Sequence, residues 1–438
     1  MPVKYLTRRE TPWIAEGVHY VYKDKEVHQD LLTYGLVDRR MFNRIERDMT
    51  HTIEEHEGRR RQALTNGWGE LAYRVYQMEW LAWLILNTEE SAFDFELRED
   101  GRLIGVEEHK LGQYYGLLAP LILDILYGDV ALDRFRLTPH ADLFRDAVKC
   151  MVARIPSLQE CLSKPPTFYD KDTTRYCGEH ANGLIVLVRD EAKARKLSKK
   201  VAACKAAGKR AHGRMQEVMR EYFERQKELH LMLIECAYPP ELAAQVPLAE
   251  AKRDHARFVN RLRGNVKFAA VAVGGIWVLA WGERKGHHFR WIFMLDASLV
   301  LDSTEWAELV GSVWKGTVRD GAGYVRVPGI SDHPSLVAGA IHADDAEKMK
   351  LLDDEIEYLA WKDTLIQHKE AVGARSWDAW VPANTRGERR RRKAAQSAEA
   401  AGTEEISNTP QLVSIGAGEH ADGARLRASD GRMRNKPV

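Results

Sequence analysis

The pattern of apolar and polar positions divides the chain into two halves with different periodicities. Trp68 to Asn87 carries apolar residues at spacings of three and four, and this spacing dominates from about Asp38 to Leu162. It predicts a mostly helical N-terminal domain over residues 1–190. Residues 191–226, rich in Lys, Arg and Ala, are expected to form a basic helical connector.

Strand and helix signals alternate after residue 226. Leu229 to Tyr238 is predicted to be a strand, and Pro247 to Arg263 a helix with proline in its first turn. Gly274 to Asp296 has two apolar runs around a short turn of glycine and charged residues, which predicts a β-hairpin. Helices are also predicted around Trp306 and over Leu351 to Gly373.

This order of elements predicts an α+β fold for the whole chain. Residues 227–382 should form a ferredoxin- or RRM-like palm, an antiparallel sheet with helices on one face and the other face open to a substrate. Residues 383–438 are polar and lack periodicity, so a basic, disordered tail is expected there.

Side chains of the second hairpin strand should alternate between the two faces of the sheet. The bulky apolar set is expected to face a core: Phe289, Trp291, Phe293 and Leu295. The set that carries the polar groups should face the open side: His288, Arg290, Ile292 and Met294. A histidine and an arginine are therefore predicted neighbours on that side.

Composition limits the function classes. The chain has 438 residues, 45% hydrophobic and 29% charged, which are values of a globular protein with about two or three domains. Its net charge is only +1, so contact with a nucleic acid must rest on local basic patches. One such patch, RGERRRRKAAQ, includes the candidate DNA-binding residues Arg389, Arg390, Arg391, Arg392 and Lys393.

The cysteines and the apolar runs indicate a compartment. Five cysteines without a CxxC pair argue against a disulfide framework or a zinc knuckle and favour a reducing cytoplasm. The most apolar run, Gly116 to Tyr127, is too short to span a bilayer, so no membrane partner is expected.

Four segments between Lys227 and Trp380 resemble a known family in their order and spacing. They are LHLMLIECAY, GGIWVLAWGERKGHHFRWIFMLD, VGSVWKGTVRDGAGYV and YLAWKDT. Together they resemble the inovirus-type replication-protein family, the YagK/YfjJ C-terminal domain family, which belongs with the HUH rolling-circle replication initiators. The N-terminal half adds little to this resemblance.

The resemblance implies a DNA-nicking site. Tyr358 would be the nucleophile that forms a 5′-phosphotyrosine, and Lys362, on the same helical face, would offset the negative charge. His288 would hold a divalent metal, Mg²⁺ or Mn²⁺, that polarises the scissile phosphate. Arg290 stands where the family has a second histidine; a guanidinium cannot bind a metal, but it can bind a phosphate of DNA. Glu235 is an acidic candidate that could complete the metal site.

Three functions remain open. The leading hypothesis is a replication-initiator-like DNA-binding protein of a filamentous phage or an integrated mobile element, which would act on single-stranded or hairpin origin DNA, with tyrosine endonuclease activity if the chemistry is retained. The chain has no GxxxxGK[ST] loop, so a host helicase and polymerase would be its partners. The alternatives are a catalytically degenerate DNA-binding regulator and a host-interaction or scaffold protein. On spacing alone, Tyr358 and Lys362 could also be an ordinary surface pair.

Overall fold

The computed structural model describes residues 19–22, 39–56, 59–64, 71–128, 132–243, 245–282, 285–318, 321–328 and 337–382. These described residues belong to one compact unit. The predicted disordered tail, with Arg389, Arg390, Arg391, Arg392 and Lys393, lies outside the described residues. The predicted domain boundaries after residues 190 and 226 stay predictions.

The N-terminal half combines helices with short strands. Its helices are α1 (Arg39–Thr50), α2 (Leu71–Leu86), α3 (Tyr115–Tyr127), α4 (Pro139–Arg154), α5 (Leu158–Leu162), α6 (Cys177–Ala194) and α7 (Leu197–Arg225). Its strands are β1 (His19–Tyr22), β2 (His51–His56), β3 (Arg59–Leu64), β4 (Phe93–Leu97), β5 (Leu103–Glu108), β6 (Phe135–Leu137), β7 (Tyr169–Asp170) and β8 (Arg175–Tyr176). The amphipathic helix predicted after Trp68 corresponds to α2.

The C-terminal half is built around one sheet. Its strands are β9 (Glu228–Ala237), β10 (Ala272–Gly282), β11 (Gly286–Asp296), β12 (Tyr324–Arg326), β13 (Gly339–His342), β14 (Ile366–His368) and β15 (Trp377–Trp380). Its helices are α8 (Pro240–Ala243), α9 (Leu248–Gly264), α10 (Val266–Val271), α11 (Thr304–Thr317) and α12 (Ala346–Leu365). The predicted α+β class is confirmed.

The sheet has the strand order β12-β9-β11-β10-β15, and β13 also pairs with β9. Every one of these pairs is antiparallel. Six of the elements form a β-α-β-β-α-β unit: β9, α9, β10, β11, α11 and β12. In the sheet, β9 lies between β11 and β12, and β10 lies on the other side of β11. This is the ferredoxin-like arrangement that the element order predicted.

The side chains of β11 alternate between two faces, as predicted, but both faces pack into a core and neither is open. Phe289, Trp291, Phe293 and Leu295 join a core with α9 and α11. Ile292 and Met294 join the core of the N-terminal helices and α12. The hairpin register pairs Val278 with Arg290, so both lie on the second face.

The expectation of helices on one face only is wrong, because helices cover both faces of the sheet. The second face carries apolar side chains too, including Leu231 and Leu233 of β9 and Ile276 and Val278 of β10. A strand that is apolar on both sides must be buried on both sides. The continuous apolar run of β9 already carried this signal.

The last predicted helix is shorter than expected. α12 ends at Leu365, and β14 follows directly. Gly373, predicted to end the helix, instead adopts a φ of +78° in the turn before the edge strand β15, which pairs with β10.

One disulfide lies in the N-terminal half. Cys161 of α5 and Cys177 at the start of α6 are bonded, with 5.6 Å between their Cα atoms. The cysteine count and spacing argued against a disulfide framework, and they carried no signal for this single bridge. None of the helices in the described ranges is long and apolar enough to cross a bilayer.

Candidate functional site

The centre of the candidate site is a phenol held between two halves of the chain. α12 carries Tyr358, whose hydroxyl donates a hydrogen bond to the carboxylate of Asp48 on α1. The same carboxylate oxygen accepts a hydrogen bond from Arg290 on β11. Only 2% of Tyr358 is exposed, so its hydroxyl meets protein groups rather than water.

A second ion pair encloses the phenol. The guanidinium of Arg44 lies 3.9 Å from the centroid of the Tyr358 ring and is bonded to Glu355. Glu355 also lies 3.7 Å from Arg290. The charges of two arginines and two carboxylates around the neutral phenol therefore cancel. Buried charges need pairing of this kind. Because this cluster is already neutral, it offers no net attraction for a phosphate.

The pKa values follow from burial and from these charges. Burial alone would raise the pKa of Asp48, but the positive charges of Arg290 and Arg44 outweigh it and lower the pKa to about 2. Burial and the negative charge of Asp48 raise the pKa of Tyr358 well above its ordinary value. Burial lowers the pKa of Arg44 to about 10, which leaves it charged at neutral pH.

These values bear on nucleophilic chemistry. A phenol that attacks a phosphate must lose its proton, and a carboxylate with a pKa of about 2 is a weak base for that proton. The described arrangement therefore keeps Tyr358 in its protonated form. Activation would require a change in the contact with Asp48.

His288 is buried beside cations. It is 2% exposed, and its Nδ1 donates a hydrogen bond to the carbonyl oxygen of Gly286 at 3.1 Å. Burial lowers the pKa of His288 to about 4, with the charge of Lys285 adding to the effect. The imidazole is therefore neutral at physiological pH.

The neighbouring carboxylate does not complete a metal site. Glu235 lies 3.0 Å from Lys285 and 3.1 Å from Arg326, and these cations lower its pKa well below the ordinary value although burial opposes this. A divalent ion beside His288 would have one carboxylate, Glu235, which is already shared between two cations. The fixed positive charges around it, including Arg290, would repel the ion. His288 belongs to none of the clusters of three metal-capable groups in the described ranges. The residues present do not fit the metal that the resemblance implied.

Lys362 is engaged with protein groups. Its Nζ donates hydrogen bonds to the carbonyl oxygen of Leu279 at 2.7 Å and to the carboxylate of Asp363 at 2.8 Å. The residue is 8% exposed. Lys362 therefore fastens α12 to the strand β10 rather than presenting a free cation.

The structure brings the predicted residues together. Tyr358, Lys362 and His288 line one cavity between α12 and the hairpin end of β10 and β11. Arg290 contacts Asp48, the hydrogen-bond partner of Tyr358, but its side chain is only 11% exposed and is paired with acids. The sequence predicted that Arg290 can bind a phosphate, but here its guanidinium is already paired.

Sequence reasoning missed the acidic half of this cluster. Asp48 precedes Tyr358 by 310 residues, and no local signal links them. Glu355 lies three residues before Tyr358, so the helical spacing could have identified it as a neighbour on the same face.

A basic stripe lies on α7, which packs against α12. Four of its cations fall within about one third of the helix circumference and are exposed: Lys199, Lys200, Arg210 and Arg214. None of them forms an ion pair with a residue in the part of the chain that the structure describes. The stripe extends over about 22 Å, at 1.5 Å per helical residue.

Comparisons with protein-family models, with curated proteins and with solved structures gave no match for this chain.

Proposed function

We propose that this chain is a replication-initiator-like DNA-binding protein that uses a ferredoxin-like palm. The observation that carries the proposal is the position of Tyr358: it is on the helix that follows the sheet, and it meets Arg290 of the central strand through Asp48. The family resemblance implies that the tyrosine helix faces the strand that carries the metal histidine, and Arg290 lies two residues after His288 on that strand. The observation concerns the packing of two elements rather than a short motif.

The α7 stripe supports binding of the DNA backbone. Lys199, Lys200, Arg210 and Arg214 are exposed cations without acidic partners in the described ranges, and phosphate binding by such residues releases counterions. The neutral cluster around Tyr358 supplies no comparable attraction. DNA is therefore expected to bind through α7 first.

Salt-dependent binding tests this proposal. The full chain should bind a mixed-sequence single-stranded oligonucleotide of about 40 nucleotides, with log affinity falling linearly with log salt by about 0.7 per phosphate contact. The double variant R210Q/R214Q should bind more weakly, with a slope that is lower by about 1.4.

The matched control is K252Q/R253Q, which removes two exposed cations from α9 instead. It should leave both the affinity and the slope unchanged. Binding that does not depend on salt, or an equal loss in both double variants, would contradict the assignment of α7.

Tyrosine endonuclease activity is the second candidate, favoured because His288, Tyr358 and Lys362 line one cavity. A supercoiled plasmid and a single-stranded oligonucleotide would be incubated with Mg²⁺, with Mn²⁺ and without metal. A covalent 5′ adduct that is lost in Tyr358→Phe and kept in Tyr127→Phe, at an exposed tyrosine, would establish the enzyme. DNA binding without an adduct under all three conditions would select the non-catalytic regulator.

A further inference from the structure

A second group of metal-capable side chains lies at the hairpin end of the sheet. His287 of β11 is 3% exposed, and its Nε2 donates a hydrogen bond to Glu370 at 3.0 Å. The ring of His368, at the end of β14, lies 5.4 Å from the ring of His287 between centroids. One ring nitrogen of each histidine and one carboxylate oxygen of Glu370 lie within 4.8 Å of one another.

Three of the four histidine nitrogens of this group have no hydrogen-bond partner among the described residues. Nδ1 of His287 and both nitrogens of His368 are shielded from solvent and form no hydrogen bond with a described residue. Buried polar atoms are normally paired, because an unpaired one loses its hydration without compensation. Three such atoms in adjacent rings therefore point to a ligand that both histidines share.

The donor atoms suit a metal ion. His287 and His368 each have a ring nitrogen without a hydrogen-bond partner, and imidazole nitrogens are common ligands of transition metals. Glu370 adds a carboxylate oxygen close to both rings. The ring of His368 is also held in place, stacked on Trp281 at 4.9 Å.

We propose that His287, His368 and Glu370 bind a divalent transition-metal ion of the Zn²⁺ type. Two imidazoles and one carboxylate are a donor set of zinc sites that keep a fourth position open. Mg²⁺ prefers oxygen ligands and is a poor match. His287 and His368 also line the cavity that contains Tyr358, so the ion would be at the wall of the candidate site.

The two other clusters in the described ranges fit less well. One includes Cys161, whose sulfur is bonded to Cys177. The other contains a single histidine, His109, with Asp94 and Glu107. The pair of imidazoles with three unpaired nitrogens between them distinguishes the site at His287.

Calorimetric titration of the full chain with Zn²⁺, after treatment with a chelator, tests the proposal without DNA or activity. Zn²⁺ should bind, Mg²⁺ should not, and bound Zn²⁺ should raise the midpoint of thermal unfolding. His368→Gln and Glu370→Gln should each weaken Zn²⁺ binding by about tenfold or more. Glu370 has a 58% exposed side chain, so its variant is expected to fold.

The control variant is His109→Gln, which removes the imidazole of the competing cluster and should leave Zn²⁺ affinity unchanged. Three outcomes would overturn the assignment: no Zn²⁺ binding by the wild type, wild-type affinity in both site variants, or loss of binding in His109→Gln. Since DNA is absent, failure here leaves the proposed DNA-binding function unaffected.

Discussion

The hydroxyl of Tyr358 donates a hydrogen bond to the carboxylate of Asp48, although 310 residues separate the two in sequence. This contact fastens α12 of the palm to α1 of the N-terminal half. It also gives the candidate nucleophile an acceptor inside the protein. The same bond therefore links the stability of the fold to the state of the candidate site.

Removing the hydroxyl should destabilise the protein. Tyr358→Phe deletes the donor but leaves Arg290 bonded to Asp48, so we expect a loss near the lower end for hydrogen bonds to charged groups, about 1.5 kcal/mol. Urea unfolding of wild type and variant would measure it. Tyr127→Phe, at a residue that is 73% exposed, should change stability little. Equal midpoints for wild type and Tyr358→Phe would show that the bond does not form in solution.

Acid should weaken the same contact. The folded-state pKa of Asp48 is about 2, below its unfolded value of about 4, so its contribution is complete above pH 4 and is lost as the pH falls towards 2. The stability difference between wild type and Asp48→Asn should therefore shrink over this window. Asp172→Asn, at an exposed carboxylate, serves as the control for the chemical change itself. A difference that stays constant down to pH 2 would contradict the lowered pKa.

Two glycines of α7 should respond in opposite directions to alanine. A Cβ on Gly208 would lie 2.6 Å from the ring of Trp361 on α12, so Gly208→Ala should cost about 1–3 kcal/mol through overpacking. A Cβ on Gly213 would meet no atom within 4 Å, so Gly213→Ala should stabilise the helix by up to about 1 kcal/mol. Thermal unfolding of both variants checks this. Stabilisation by Gly208→Ala would place the two helices further apart than described, and destabilisation by Gly213→Ala would contradict the open space around that residue.

Thiol titration should detect the bridge between Cys161 and Cys177. The denatured, unreduced chain should give three reactive thiols, from Cys150, Cys204 and Cys236, and the reduced chain five. The double variant C161S/C177S should lose about 3 kcal/mol, the loop-closure contribution for a separation of 16 residues. Cys150→Ser is the matched control. Five thiols without reductant would refute the bridge.

The palm could be predicted because its signals are local. Alternation along β11 separated the side chains of its two faces, and the order of strands and helices implied the ferredoxin-like arrangement. The sequence analysis did not predict that helices also cover the second face of the sheet, although the apolar run of β9 indicated it. Short strands such as β14 and β15 were missed because three or four residues carry too little periodicity.

The candidate site was predicted only in part. Tyr358, Lys362 and His288 share a cavity. Each of them could be proposed from the local sequence of α12 or β11. Asp48, the main partner that sets their charge state, lies on α1. This helix is far from the palm in sequence, so no spacing rule connects the two. The pairing of Arg290 with acids therefore could not be foreseen.

The contact between α1 and the palm affects how the protein can be dissected. A fragment that starts at residue 227 would leave Asp48 and Arg44 behind, so Arg290 would lose its principal acid and Glu355 its arginine. Val278 and Ile292, which belong to the core shared with the N-terminal helices, would lose part of their packing as well. Such a fragment is expected to aggregate, and truncation studies should retain α1 together with the sheet that it covers.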